Sequence, residues 1–242
     1  MKKVILTNAL LLVLFSANAQ NDKALGTWFI TNVEYEFAKN FIGYFELQAR
    51  TQKPFQKIFY GEIKGGVTYR INKNFNVFIG FGDYRTYNWK ALKDGIQTNE
   101  WRLWEQFVYT QNLGRVKFEN RFRIEQEWLN LKYRNRFRYR LNLIIPLNKS
   151  KIEKGTVFVS TFDEVFFTNT APYFMRNRIY AGLGYQATNF LMVQLGWVNQ
   201  YNYALTAEGG KNNLMFTVSV RFLKANKDKN IKEELPIPTL KD

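Results

Sequence analysis

The chain of 242 residues has no cysteine and no histidine, and only 5 of its residues are proline. Without cysteine it can form neither a disulfide nor a cysteine-linked lipid anchor. Without histidine or cysteine, zinc centres built from those side chains are excluded. So are the histidine-dependent mechanisms of outer-membrane phospholipases, lipid A deacylases, palmitoyltransferases and omptin-type proteases. A carboxylate-only hydrolase or a calcium site remains open on composition. Long apolar runs are also missing: after Gln20 no segment approaches the roughly 18 to 20 apolar residues of a membrane helix, so any crossing of a bilayer falls to a closed β-barrel.

What is present is alternation. Arg134, Arg136, Arg138 and Arg140 are interleaved with Tyr133, Phe137, Tyr139 and Leu141, and a period of two places the guanidinium groups on one face of a strand and the apolar groups on the other. Over 115 to 128, Val116, Phe118, Phe122, Ile124 and Trp128 alternate with Lys117, Glu119, Arg121, Arg123, Glu125 and Glu127. Over 212 to 223, Leu214, Phe216, Val218, Val220 and Phe222 alternate with Asn213, Met215, Thr217, Ser219 and Arg221. Eleven such segments are predicted: 25 to 37, 41 to 50, 57 to 71, 75 to 87, 99 to 111, 115 to 128, 133 to 147, 156 to 167, 175 to 187, 190 to 203 and 212 to 223. They exceed the roughly 5 to 6 residues of an ordinary soluble strand and suit a tilted membrane strand. The 22 Phe, 14 Tyr and 6 Trp fit strands with aromatic girdles, and Trp89, Trp101, Trp104, Trp128 and Trp197 are expected in those belts.

The ends frame this barrel. Lys2 and Lys3, the apolar run Val4 to Phe15, and Ala17-Asn18-Ala19 compose an export signal over residues 1–19, with cleavage before Gln20. Removing Lys2 and Lys3 from the formal +15 leaves 33 basic and 20 acidic residues, or +13. Export makes nucleic acid an unsuitable partner; outer-membrane lipid, lipopolysaccharide head groups, anionic solutes and internal ion pairing are the expected sinks for that charge. Residues 224–242, rich in Lys, Asp, Glu and Pro, have no strand pattern and are expected to form a flexible periplasmic tail. Phe222, closing the last amphipathic segment, is similar to the terminal aromatic read by the barrel assembly machinery.

Connections near 38 to 40, 72 to 74, 112 to 114 and 188 to 189 read as short, and those near 51 to 56, 89 to 98, 168 to 174 and 204 to 211 as long. This alternation suggests short periplasmic turns and longer external loops. Single-chain bacterial barrels usually have even strand numbers, so the expected fold is an all-β, antiparallel transmembrane barrel over 20–223 with 12 strands, or 10 as the fallback.

The inward face is predicted to carry a ladder of Arg121, Arg123, Glu125, Arg134, Arg136, Arg138, Arg140, Arg176 and Arg178, joined by Arg102. Its acidic partners are expected among Glu119, Glu127, Asp163 and Glu164, with Glu34, Glu36, Glu46, Glu62 and Glu105 as further candidates. Asp163 and Glu164 are adjacent and so point to opposite faces unless a bulge re-aims one. They are read either as an acid pair at a ligand or catalytic site or, in the favoured reading, as one acid capping Arg176 and Arg178. Gly80-Phe81-Gly82 and Gly182-Leu183-Gly184 lie outside any strand–loop–helix context and are read as curvature, or as space for inward Arg and Tyr side chains.

Four stretches carry a family resemblance: Glu119-Asn120-Arg121-Phe122-Arg123-Ile124-Glu125-Gln126, Arg136 to Leu141, Asp163-Glu164-Val165-Phe166-Phe167, and Asn177 to Tyr185. Through them the chain resembles a bacterial outer-membrane family of undefined function, the domain-of-unknown-function family numbered 2490. The resemblance implies a barrel in the bacterial outer membrane and carries over no catalytic residue. Three functional expectations follow. The first is a structural outer-membrane barrel, or a narrow porin-like path for small anionic solutes, without cofactor or metal. The second is a carboxylate-dependent envelope enzyme, and the third a periplasmic barrel carrying an apolar ligand.

Overall fold

The structure, a computed structural model, describes residues 25–222 apart from 89, 131 and 204–207. The expected export signal (1–19), the expected tail (224–242) and Trp89 lie outside the described residues. Eleven strands form one closed barrel: β1 (Gly26–Ala38), β2 (Phe41–Lys53), β3 (Gln56–Arg70), β4 (Phe75–Tyr87), β5 (Ile96–Leu113), β6 (Val116–Leu129), β7 (Lys132–Pro146), β8 (Val157–Thr168), β9 (Phe174–Gln186), β10 (Leu191–Asn202) and β11 (Gly209–Phe222). Each follows one of the alternating segments, because only the barrel lets a strand bury its polar side chains inside and leave its apolar ones outside.

The even strand count of 12 or 10 is not what closes this barrel. Each strand pairs antiparallel with the next, but β1 meets β11 in a parallel ladder running from Gly26↔Asn213 to Tyr35↔Phe222. Parallel pairing is only slightly weaker per residue than antiparallel, so the ring closes on an odd stave and no twelfth strand is present among the described residues. The first strand therefore starts at the opposite rim from the one where the last strand ends. We call the rim carrying Gly26 and the connections 54–55, 88–95, 130–131, 169–173 and 203–208 the upper rim, and the rim carrying 39–40, 71–74, 114–115, 147–156, 187–190 and Phe222 the lower rim.

The expected division into short and long connections holds only in part. The stretch 51 to 56 is a tight hairpin, since β2 continues to Lys53 and β3 begins at Gln56. Pro54 presets the first turn position and Phe55 takes the left-handed conformation at φ 58. The longest lower connection, 147–156, has no periodicity to announce it. It is pinned by hydrogen bonds from Gly155 N to Gln186 O (2.7 Å) and from Asn148 Nδ2 to Gly155 O (2.9 Å). It drives Ile152 between Ile144, Phe158 and Met192.

The outer face is zoned. An apolar band of exposed Leu47, Ile63, Val67, Ile79, Leu103, Ile124, Leu183, Leu195 and Val218, with Phe45, Phe81, Phe122 and Phe137 among them, runs around the middle. Trp101, Trp128, Tyr133, Phe167 and Phe55 ring it near the upper rim, and Tyr35, Phe37, Phe41, Tyr69, Tyr109, Tyr185, Phe190 and Phe222 near the lower. Trp101 and Trp128 thus sit where the belt was expected. Trp104 does not: sharing parity with Arg102 and Gln106, it points inward and is 0% exposed, packed on Phe78 with centroids 6.0 Å apart.

Aromatic side chains fill the barrel beside the charges. Trp28, Ile30, Phe162, Tyr180, Val198 and Met215 form one interior cluster and Tyr44, Phe78 and Trp104 another. Inward glycines make room for them. A Cβ at Gly196 would stand 2.4 Å from the Tyr180 ring and 2.7 Å from the Ala181 carbonyl, and the rigid backbone atom prevents relief by a side-chain shift. Gly196→Ala is therefore expected to lower stability by about 1–3 kcal/mol through overpacking, read as an earlier urea midpoint in detergent. An unchanged midpoint would show that the backbone at Ala181 gives way along with the ring.

Candidate functional site: the charged lumen and its upper vestibule

Three central strands assemble the ladder. In the β6/β7 register Glu125 faces Arg136 and Glu127 faces Arg134, and between β7 and β8 Arg140 faces Glu164. Glu125 is fully buried and takes bonds from three arginines: Arg123 at 3.0 Å, Arg138 at 2.7 Å and Arg136 at 2.6 Å. Glu164, equally buried, receives Arg121, Arg138 at 2.7 Å and Arg178 at 3.5 Å. Glu127 joins Arg134 at 2.5 Å, Arg136 at 2.7 Å and Arg102 at 3.1 Å. Glu119 takes Arg140 at 3.4 Å. Smaller pairs complete the lining: Lys64 lies between Glu46 (2.5 Å) and Glu62 (2.6 Å), and Arg221 bonds Glu34 at 2.9 Å near the lower rim. Burying these ions one by one would cost several kcal/mol each; sharing each carboxylate among several guanidinium forks repays that cost.

The predicted site residues thus fall into three groups. Arg121, Arg123, Glu125, Arg136, Arg138, Arg140, Arg178, Glu119, Glu127 and Glu164 are buried and inward, while Arg134 and Arg176 are inward and half-buried near the upper rim. Phe222 is the outward, exposed last residue of β11. Asp163 corrects the expectation. No bulge re-aims it, so it points outward, away from the ladder, and accepts a bond from Asn177 Nδ2 at 2.6 Å. Glu105 also faces outward and bonds Gln126 at 3.1 Å. The single inward acid of the two, Glu164, reaches Arg178, opposite it in the register, but not Arg176, which donates to Asn202 instead, so the favoured reading of one acid capping both arginines holds for Arg178 alone. Asp163 and Glu164 therefore form no acid pair.

Two cavities inside the barrel share no lining residue. The lower one, about 90 Å³, is lined by Arg70, Lys73, Lys117, Arg221 and Glu34 among others. The upper one is a vestibule of about 340 Å³, in which eight of nineteen lining residues are Arg or Lys and only Glu100 is acidic. Arg102 covers Glu100 with two bonds of 2.8 Å. Tyr44, Phe78 and Trp104 lie below it, with Arg123 over the Trp104 ring at 5.3 Å. Sequence reasoning missed Arg50 and Lys211, which enter the vestibule from β2 and β11. It also missed Trp28 and Tyr60, whose rings hold the Arg50 guanidinium at 3.9 and 4.5 Å. Arg50 and Lys211 share the inward parity of their strands, which was the available signal. Among the described residues no group of three or more carboxylates could hold a metal ion.

A search of curated proteins finds no match to this chain. One family model, described as "Protein of unknown function (DUF2490)", matches residues 25–210, from the first strand into the start of the last. The barrel and its charged lumen therefore lie almost wholly within a family defined by sequence alone, and the chain belongs to the DUF2490 family.

Proposed function

We propose that this protein is an integral barrel of the bacterial outer membrane, exported by its first 19 residues, whose lumen is sealed by its own ion pairs and aromatic clusters, so that it serves as a closed scaffold and not as a porin. The observation that carries this reading is the outer face, which is mostly apolar around its whole middle, aliphatic and phenylalanine side chains together, with Trp and Tyr towards both rims, the pattern a bilayer selects. Outward polar groups within the band are tied to neighbours, as with Asn120 and Tyr139 at 2.8 Å and the Asp163–Asn177 pair, which limits the cost of placing them in lipid. The lumen supports closure because the wholly buried Trp104, Arg121, Arg123, Glu125 and Glu164 occupy its interior. On this reading the exposed Phe222 at the end of β11 is the aromatic that the assembly machinery would read, and lipopolysaccharide is the expected lipid neighbour. The reading assigns no catalytic role, because Glu125 and Glu164 are each held by three arginines, which disfavours a proton-transfer role.

The test has two arms. Membranes from expressing cells are washed with alkaline carbonate, and the protein is expected to stay in the pellet; release into the supernatant contradicts the membrane assignment and favours the soluble carrier. Purified protein in planar bilayers is expected to show no unitary conductance. Discrete steps whose anion preference reverses in Arg136→Glu/Arg138→Glu would establish the porin-like path instead.

A further inference from the structure

The outer band is not uniform around the barrel. On β2 to β4, β10 and β11 its middle carries Leu47, Ile63, Val67, Ile79, Leu195 and Val218, whereas on β6 to β9 polar side chains interrupt it. Asp163 is the seventh of the twelve residues of β8, and the register sets it between Leu141 and Ile179. Its exposed side chain therefore lies at mid-height on the wall, away from both rims. The same row continues through Leu141 to Asn120 on β6, and the adjoining row holds Tyr139 and Asn177 on either side of Val165. Two bonds use part of this set: Tyr139 Oη donates to Asn120 Oδ1 at 2.8 Å, and Asn177 Nδ2 donates to Asp163 Oδ1 at 2.6 Å. Among the described residues the Asn120 amide nitrogen then has no acceptor, and Asp163 Oδ2 has neither a donor nor a cation. Facing acyl chains, both would go without the water that satisfies them elsewhere, and a carboxyl group at mid-membrane on the lipid side is unfavourable.

We infer that this face is an interface between two copies of the chain, which meet along β7. The inference rests on the membrane reading, because two copies inserted in the same direction must be related by an axis along the membrane normal, and such a two-fold contact pairs a patch with itself. An axis beside Leu141 exchanges the two flanks of β7. The Tyr139–Asn120 pair of one copy then faces the Asp163–Asn177 pair of the other, and the reverse contact forms by symmetry. Each copy brings one amide donor left over on the β6 flank and one carboxylate oxygen left over on the β8 flank, so the patch is its own complement. Leu141, at the axis, meets its own counterpart and supplies the apolar centre of the contact. Hydrogen bonds across such an interface replace contacts that acyl chains cannot offer.

The chain has no cysteine, so single introduced cysteines report contacts without background. Full-length Leu141→Cys and Ile79→Cys are oxidised with copper phenanthroline in carbonate-washed membranes and run on non-reducing gels. Leu141→Cys is expected to move to the mass of two chains, and Ile79→Cys, on the apolar wall, to stay at the mass of one. Asp163→Leu should keep the heat-modifiable fold and weaken dimerisation by roughly fivefold, the order of a hydrogen bond between membrane segments, read by sedimentation equilibrium in density-matched detergent. The inference is overturned if Leu141→Cys crosslinks no more than Ile79→Cys, if it crosslinks to a band of another mass, or if Asp163→Leu leaves association unchanged. Those outcomes are scored on protein that resists carbonate and leave the membrane reading standing; loss of the wild type to the carbonate wash would overturn that reading and the dimer with it.

Discussion

Glu164→Gln is expected to stop the barrel from reaching its heat-modifiable folded form, while Asp163→Asn, one residue earlier, is expected to leave that form intact. The two carboxylates are neighbours in sequence but lie on opposite sides of the β8 wall. Glu164 is completely buried and contacts Arg121, Arg138 and Arg178. A glutamine there retains an acceptor but removes the charge that lets three guanidinium groups share a dry space. Breaking a buried ion pair by deleting one partner costs about 3–5 kcal/mol, a large part of the roughly 5–15 kcal/mol that holds a typical domain together. Asp163 is exposed on the outer face and bonded to Asn177, so its amide substitute loses at most a hydrogen bond worth about 0.5–1.5 kcal/mol. Gel mobility with and without heating, followed by urea titration of whatever folds, reads both variants. Equal behaviour of the pair would mean that the ladder is not what holds the lumen shut.

Trp104→Ala should be the most damaging apolar truncation, costing about 3–5 kcal/mol. Its indole is wholly enclosed, lies against Phe78, and carries Arg123 above its ring, so truncation leaves a cavity and removes a cation–π contact worth about 0.5–2 kcal/mol at once. Trp101→Ala provides the comparison. That ring stacks on Phe81 at 5.2 Å but is 40% exposed on the outer face, so its removal leaves no enclosed cavity. Urea midpoints in the same detergent should therefore separate the two variants clearly. If Trp101→Ala proved the more harmful, the inward aromatic clusters would have to be regarded as incidental filling.

Most of the architecture could be read from alternation alone, because a wall one strand thick forces a period of two on every segment. The pairing of the ladder was legible for the same reason: Glu119, Glu125 and Glu127 share parity with Arg121 and Arg123 on one strand. The same rule, applied to every aromatic, would have turned Trp104 inward; compositional habit, which places tryptophan at the membrane interface, obscured it. Other features had no local signal. Ile152 lies in a loop without periodicity, and its burial depends on Phe158 and Met192 on other elements. Nor could parity reveal that Arg176 and Arg178 would face Asn202 and Gln200, since that depends on the register between β9 and β10. The parallel seam was hidden as well, because it joins the two segments farthest apart in the chain.

That seam sets Gly26 and Phe222, where the described barrel begins and ends, at opposite rims. β1 enters at the upper rim and β11 leaves at the lower, whereas a barrel with an even number of antiparallel strands returns both ends to the same side. A reporter fused ahead of Gly26 and another fused behind Phe222 would therefore be divided by any sealed bilayer surrounding the barrel, one open to added protease and the other sheltered. For the same reason, a linker joining Gly26 directly to Phe222 would have to traverse the full height of the wall.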